Sequence, residues 1–387
     1  MEKIHILQSP NDTSQYQHLT LNNGLSVLLV CQPEVEKSAA ALTVNVGHFD
    51  DPANRQGLAH FLEHMLFLGS KNYPQAGDYQ QFINHHGGSH NAWTGTEHSS
   101  FYFDIDTRFY QQALARFADM FSQPLFRDDY VEKERHAIEA EFSLKLKDDG
   151  RRIYQVHKES INPAHPFAKF SVGNLTTLAD TAESTLQHAL QQFFHQQYSA
   201  SRMTLALVSP LPLAQQQDYV EQYFNALPAH LAAKPALDIP LYLPEHQAIQ
   251  LNIQPHRDTQ KLVVSFALPD IQRWYQHKLI SFIAHLLGDE GEGSLLSHLK
   301  QQDLVNQLSA GGGIDGSNYK DFTIAFELTE AGLHQRDRIL QALFSAIARL
   351  KSQPLPQTLF AERQKLLQWA YLYQEPATAL QTANHLS

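Results

Sequence analysis

Apolar and polar positions alternate with a period of two over HLTLNNGLSVLLV (18–30). The alternation predicts two strands, joined at Asn22-Asn23-Gly24, where Asn and Gly supply the positive φ of a tight hairpin. SAAALTVNVG (38–47) predicts a third strand. The period then lengthens to that of a helix from about Gln56 to Gly69, with Gly69 placed to follow the C-cap. A short helix, DYQQFINHH (78–86), is expected with Asp78 as N-cap and Gly87-Gly88 as its stop. SHNAWTG (89–95) and HSSFYFDID (98–106) read as a β pair, and Phe109, Leu114, Phe117 and Phe121 mark a helix over 107–122. A long helix follows from about Asp128 to Lys147, capped by Asp128 and stopped by Gly150. Beyond the Pro-rich INPAHPF (161–167), a helix (183–198), a strand (202–208) and a helix (212–226) complete an α/β unit.

Pro228, Pro235, Pro240 and Pro244 make 228–245 a linker between a domain over 1–227 and a second over 246–387. The second domain repeats the opening plan. KLVVSFALP (261–269) is a strand, and KLISFIAHLLG (278–288) follows as a buried helix, as GLAHFLEHMLFLG follows TVNVG. SAGGGIDGSN (309–318) precedes a strand, FTIAFELT (322–329). Its Gly311-Gly312-Gly313 lacks the Lys-Ser/Thr of a phosphate loop, which leaves a flexible turn and backbone exposed for ligand contact as the two readings. A long amphipathic helix over 355–374 and a further helix beginning at Ala377, without a cap signal, close the chain.

Within this frame one helix carries chemistry. His60, Glu63 and His64 form H-x-x-E-H, and on a helix positions i and i+4 lie one above the other. Two imidazoles can therefore aim at one point, with a carboxylate beside it, as zinc peptidase sites require. Phe61, Leu62, Met65, Leu66 and Phe67 make the helix apolar on its other faces, so the polar triplet is buried and needs partners. A catalytic zinc site wants a third protein ligand. Glu134 and Glu141, two turns apart on the long helix with Ile138 between, share a partly buried face, and Glu141 is the candidate. Aligning Leu279 with Leu58 puts Ser281 opposite His60, Ala284 opposite Glu63 and His285 opposite His64, so the second repeat is expected to be metal-free. His85, His86, His90 and His98 share no ligand spacing and are assigned nothing.

Composition narrows the partners. A formal net charge of −11 argues against nucleic acid or an anionic membrane. Cys31 is the sole cysteine, so no intrachain disulfide and no Cys-rich zinc site exist. Without an apolar run of signal-peptide or membrane-spanning length, the chain is expected in the cytoplasm, or in the periplasm if a leader was removed.

HFLEHMLFLGSKNYP, GGSHNAWTG, NPAHPFAKFSVGNL and the ERHAIEAE helix together resemble the pitrilysin/insulysin zinc metallopeptidases, in particular the N-terminal half of the bacterial pitrilysin-like proteins. The resemblance implies an α+β fold of two related α/β domains, each a mainly antiparallel sheet packed with helices. It implies a zinc endopeptidase acting on peptides or small unfolded polypeptides, with one Zn²⁺ held by His60, His64 and Glu141. Glu63 would be the general base and Glu134 would support the site. Substrate would add as a strand along Ser89 to Thr94, with hydrogen bonds from Asn91 and Ala92 and a side-chain pocket at Phe67 and Trp93. Gly311 and Gly312 match a region that holds substrate N-termini. Longer relatives have four such domains in two halves, the second half supplying an Arg and a Tyr. The C-terminal half of the same polypeptide, or a second subunit, is therefore expected as partner. A non-catalytic peptide-binding or assembly subunit of the same fold is the alternative.

Overall fold

The hairpin expected at the start forms as strands β1 (Gln15–Thr20) and β2 (Ser26–Cys31), which pair antiparallel across Gly24 at φ 88°. The structure is a computed structural model describing residues 6–257 and 259–387. β3 (Lys37–Val44) follows, then the motif helix α1 (Leu58–Leu66), α2 (Asp78–His85), β4 (Ser89–Thr94) and β5 (Ser99–Asp106). Next come α3 (Tyr110–Ser122), α4 (Asp128–Lys145), α5 (Asp149–Glu159), α6 (Leu186–Gln197), β6 (Met203–Ser209) and α7 (Leu213–Phe224). The six strands form one sheet in the order β1-β2-β6-β3-β5-β4. It is antiparallel except where β6, arriving from α6, lies parallel to β2. Strand alternation sends Ala40, Leu42 and Val44 into the main core with Phe61, Leu62, Phe101, Phe103 and Phe117, while Ala39 and Ala41 face the other side.

The second unit has β7 (Lys261–Ala267), α8 (Leu279–Leu287), α9 (Leu295–Gln301), β8 (Val305–Asp315), β9 (Lys320–Leu328), α10 (Glu330–His334), α11 (Arg336–Ser352) and α12 (Gln357–Leu372). Its sheet has the order β7-β9-β8, wholly antiparallel, and Leu296, Leu299, Ile324, Phe326, Ile339 and Leu343 fill its core. No described helix is long and apolar enough to cross a membrane.

Several expectations are corrected. Asp78 and Asp128 are first residues of α2 and α4 rather than caps; Gly77 and Arg127 precede them, and Asp78 pairs instead with Arg116. α1 begins after Gly57 and ends at Leu66, so Gly69 shapes the following turn. Gly150 does not end α4, which stops at Lys145; it sits at the second position of α5, a helix the periodicity did not reveal. Gly311–Gly313 belong to strand β8, with a register shift after Gly312, rather than to a turn. α8 buries only Leu287, and Leu279 is 45% exposed; its outer face meets α12, where Phe282 packs edge-on to Phe360 and Ser281 accepts from Arg363 at 2.8 Å, a thinner cover than α4 and α6 give α1. α12 has no buried residue, its apolar side chains being spread around the helix.

The compact units also differ from a cut at the proline linker. Ser160–His165 and Ala236–Leu372 form the second unit, whereas the last residues, Tyr373–Ser387, return to the first. There α13 (Ala379–Leu386), capped by Thr378 with Gln381, packs Ala379 and Ala383 on Val30, Ala39, Ala41 and Val208. The helix does carry a cap signal, Thr378-x-x-Gln381, contrary to the expectation of an uncapped start at Ala377.

Candidate metal centre

The motif helix is held from its N-terminus by a non-local acid. Asp51, almost fully buried, accepts the backbone N–H groups of Gly57 at 2.6 Å and Ala59 at 2.7 Å, two of the donors a helix start leaves unsatisfied. Lys169 Nζ donates to the carbonyls of Phe49 and Asp51, each at 2.6 Å, fixing the loop that carries the cap. Gly57, at φ 97°, lies so close to Gly173, at φ 83°, that a Cβ on Gly57 would stand 2.3 Å from the Gly173 Cα. This backbone approach brings Val172 over the helix. α4 pins the same loop: Glu139 accepts Leu175 N–H and Arg135 donates to Leu175 O, each at 2.8 Å.

Each histidine of the motif is thereby oriented by its own partner. His60 Nδ1–H donates to Val172 O at 2.7 Å, and His64 Nδ1–H donates to Glu134 Oε2 at 3.1 Å. Both rings are left with Nε2 as the free lone pair. Glu141 Oε2 lies 3.6 Å from His60 Nε2 and 3.8 Å from His64 Nε2. The ligand atoms of His60, His64 and Glu141 lie within 4.8 Å of one another, the sole group among the described residues of three or more His, Cys, Asp or Glu placed to hold a metal. Two imidazole nitrogens and one carboxylate oxygen, each ring fixed through its other nitrogen, are a donor set that fits catalytic zinc.

Charge in the site follows from burial and contact. Burial with the neighbouring His64 holds His60 down to about 4, so it is a neutral ligand at pH 7. Burial pulls on His64 as well, but Glu134, Glu63 and Glu141 outweigh it and raise its pKa. Glu63, buried on α1, is raised by loss of solvent against the pull of Thr94, whose Oγ1–H donates to Glu63 Oε2 at 2.5 Å. Burial acts to raise Glu141 too, but the Lys145 ammonium and the two imidazoles hold its carboxyl below the ordinary value.

These groups line a cleft of about 770 Å³ with Ala92, Trp93 and Thr94 of β4 on one wall and Lys145, Arg151 and Tyr154 on another. Trp93 is 47% exposed there. Phe67 does not line it; its ring packs with Tyr79, His90 and Phe101. Asn91 Oδ1 takes the Ala92 N–H at 3.0 Å on the open edge of the sheet, since β4 has a neighbour only in β5. Gly311 and Gly312 lie on β8 of the other unit, with open space where a Cβ would stand. At the back of the cleft, buried His48 donates through Nδ1 to Gly95 O at 3.1 Å, and its Nε2 meets Lys158 Nζ at 3.3 Å. Burial and that ammonium hold His48 down to about 3, and burial brings Lys158 down to about 8.

Sequence reasoning missed Thr94, Lys145, Asp51 and His48. Thr94 shares a face of β4 with Ala92, and Lys145 stands one turn from Glu141, so both carried a local signal. Asp51 and His48 act through loop contacts that no spacing encodes.

Family models match residues 26–164 as insulinase (peptidase family M16) and 187–367 as the peptidase M16 inactive domain. The A-factor-processing enzyme of Saccharomyces cerevisiae is 34% identical over 99% of this chain and 38% of its own length. Protease 3 of Escherichia coli K12 is 36% identical over 95% of this chain and 38% of its own. The crystal structure of pitrilysin matches with a TM-score of 0.93 at 35% identity, covering 99% of this chain and 41% of that one. The chain thus spans about two fifths of the length of these relatives. Zinc-type donors on an inverted H-x-x-E-H helix, set in tandem α/β units that both family models match, make this chain a member of the insulinase/pitrilysin family of zinc metallopeptidases.

Proposed function

We propose that the chain is the metal-bearing part of a zinc endopeptidase that hydrolyses peptides or small unfolded polypeptides. The carrying observation is the convergence of His60 Nε2, His64 Nε2 and Glu141 Oε2, with Glu63 beside them in the same cleft. His60, His64 and Glu141 would hold the zinc, and Glu134 would orient His64. Bound there, zinc supplies a Lewis acid that polarises a carbonyl and makes a water acidic near neutral pH.

The remaining work falls to the protein. Thr94 occupies Glu63 Oε2, which leaves Oε1 to take a proton from the attacking water and return it to the leaving amine. The raised pKa of Glu63 suits both transfers. A peptide in extended form adds to the free edge of β4, where the Asn91 and Ala92 groups offer backbone and amide partners and Trp93 contacts a side chain. The remainder of a longer polypeptide, or a second subunit, completes the enclosure.

Metal analysis combined with a quenched-peptide assay tests the reading. The chain alone should bind one zinc and turn over slowly, and Glu63→Gln should keep the zinc while lowering the rate by ~10²-fold or more. Zinc-loaded protein whose rate is unaffected by Glu63→Gln would instead be a binding subunit. Rapid turnover by the isolated monomer would remove the need for a completing half.

A further inference from the structure

Lys145 stands one turn beyond Glu141 at the end of α4, and its Nζ pairs with Glu141 Oε1. The other oxygen, Oε2, is the one that faces the two imidazoles, 3.6 Å from His60 Nε2 and 3.8 Å from His64 Nε2. One carboxylate thus has its two oxygens committed to different partners. The pair is partly exposed, with 26% of the Lys145 side chain and 34% of Glu141 accessible, so it adds little to fold stability. Its position is better explained by the ligand it touches. A carboxylate free to turn can approach a zinc ion with both oxygens and fill a coordination position that a peptidase must keep open. With Oε1 held by an ammonium, only Oε2 can reach the ion.

We propose that Lys145 is a positioning residue that restricts Glu141 to one-oxygen ligation, so that the ion keeps its fourth position open. The assignment rests on the zinc reading above. Partners of metal-bound side chains commonly control ligand geometry in this way. Three neighbours could compete for the role. Glu134 is engaged with His64, Asp148 carries the same charge as Glu141, and Arg151 has no contact with Glu141 among the described interactions.

Cobalt(II) in place of zinc gives the test, because its visible ligand-field absorption is intense in four-coordinate sites and several-fold weaker in five-coordinate ones. The chain, Lys145→Met, Lys145→Arg and the double variant Lys145→Met with Glu141→Gln are loaded with cobalt, and bound metal is counted by equilibrium dialysis. Lys145→Met should lower absorption per bound ion several-fold, and Lys145→Arg should restore it. The double variant should not show the five-coordinate spectrum, since a neutral amide offers one ligating oxygen. Equal spectra for the parent and Lys145→Met at equal loading would overturn the assignment while leaving the zinc site standing. Failure of the parent chain to bind zinc or cobalt at all would overturn the zinc reading and the assignment with it.

Discussion

Acidification should loosen the first unit through His48, a residue outside the metal centre. Its ring is neutral in the fold because Nδ1–H donates to Gly95 O while Nε2 faces the Lys158 ammonium, and protonation would set two cations 3.3 Å apart in a buried place. Burial and Lys158 hold its pKa down to about 3, against about 6.5 in the unfolded chain. A depressed histidine leaves stability intact above the unfolded value and removes it as pH falls toward the folded one, since only the unfolded state takes up the proton. At about 1.4 kcal/mol per pH unit the loss reaches ~2 kcal/mol at pH 5. His60, held down to about 4, titrates in the same window, whereas Lys158, brought down to about 8, changes only between that value and its unfolded one and so drops out below neutrality.

The variant His48→Gln isolates the group, because an amide can donate to Gly95 O and accept from Lys158 without titrating. Hydrogen exchange read by mass spectrometry on peptides from β3 and β5, corrected for intrinsic rates, gives the local opening free energy at pH 7 and pH 5. The parent should lose about 2 kcal/mol more than His48→Gln between the two. Parallel losses would refute the argument, since His60 is common to both proteins.

Two further outcomes concern how α1 is set. Asp51→Ala removes both acceptors at the helix start and strands two backbone N–H groups; it should cost about 2–3 kcal/mol in urea unfolding of the first unit, and a loss under 0.5 kcal/mol would mean the cap is dispensable. Gly57→Ala places a methyl 2.3 Å from Gly173 Cα at a positive φ, so it should both destabilise the unit by more than 1 kcal/mol and weaken zinc binding, measured by chelator competition, as Val172 is pushed off His60.

The metal helix was legible because helical geometry turns i, i+4 spacing into convergence, and the same rule found Glu134 and Glu141 two turns apart on α4. The β4–β5 pair was legible from alternation. Less was visible where burial depends on distant chain. α8 and α1 share an apolar text, yet α1 is buried along most of its length and α8 only at Leu287, so periodicity could not tell a core helix from a half-open one. Gly150 reads as a stop but opens α5, and the triple glycine reads as a turn but continues β8, because a glycine permits a bend without demanding one. Asp51 and His48 gained their roles from loops that fold back on the helix, which a linear motif does not encode.

The return of Tyr373–Ser387 to the first unit has a practical consequence for dissecting the molecule. Expressing 1–227 alone, the cut that the prolines invite, would discard α13 and leave Val30, Ala39, Ala41 and Val208 facing water. It would also remove the Ser387 hydroxyl from Thr43 at 2.9 Å and the Ala377 carbonyl from Gln32 at 3.1 Å. A soluble metal-bearing fragment therefore needs residues 373–387 restored, by fusion through a spacer or as an added peptide. The covalent order of the chain is not the order of its folding units.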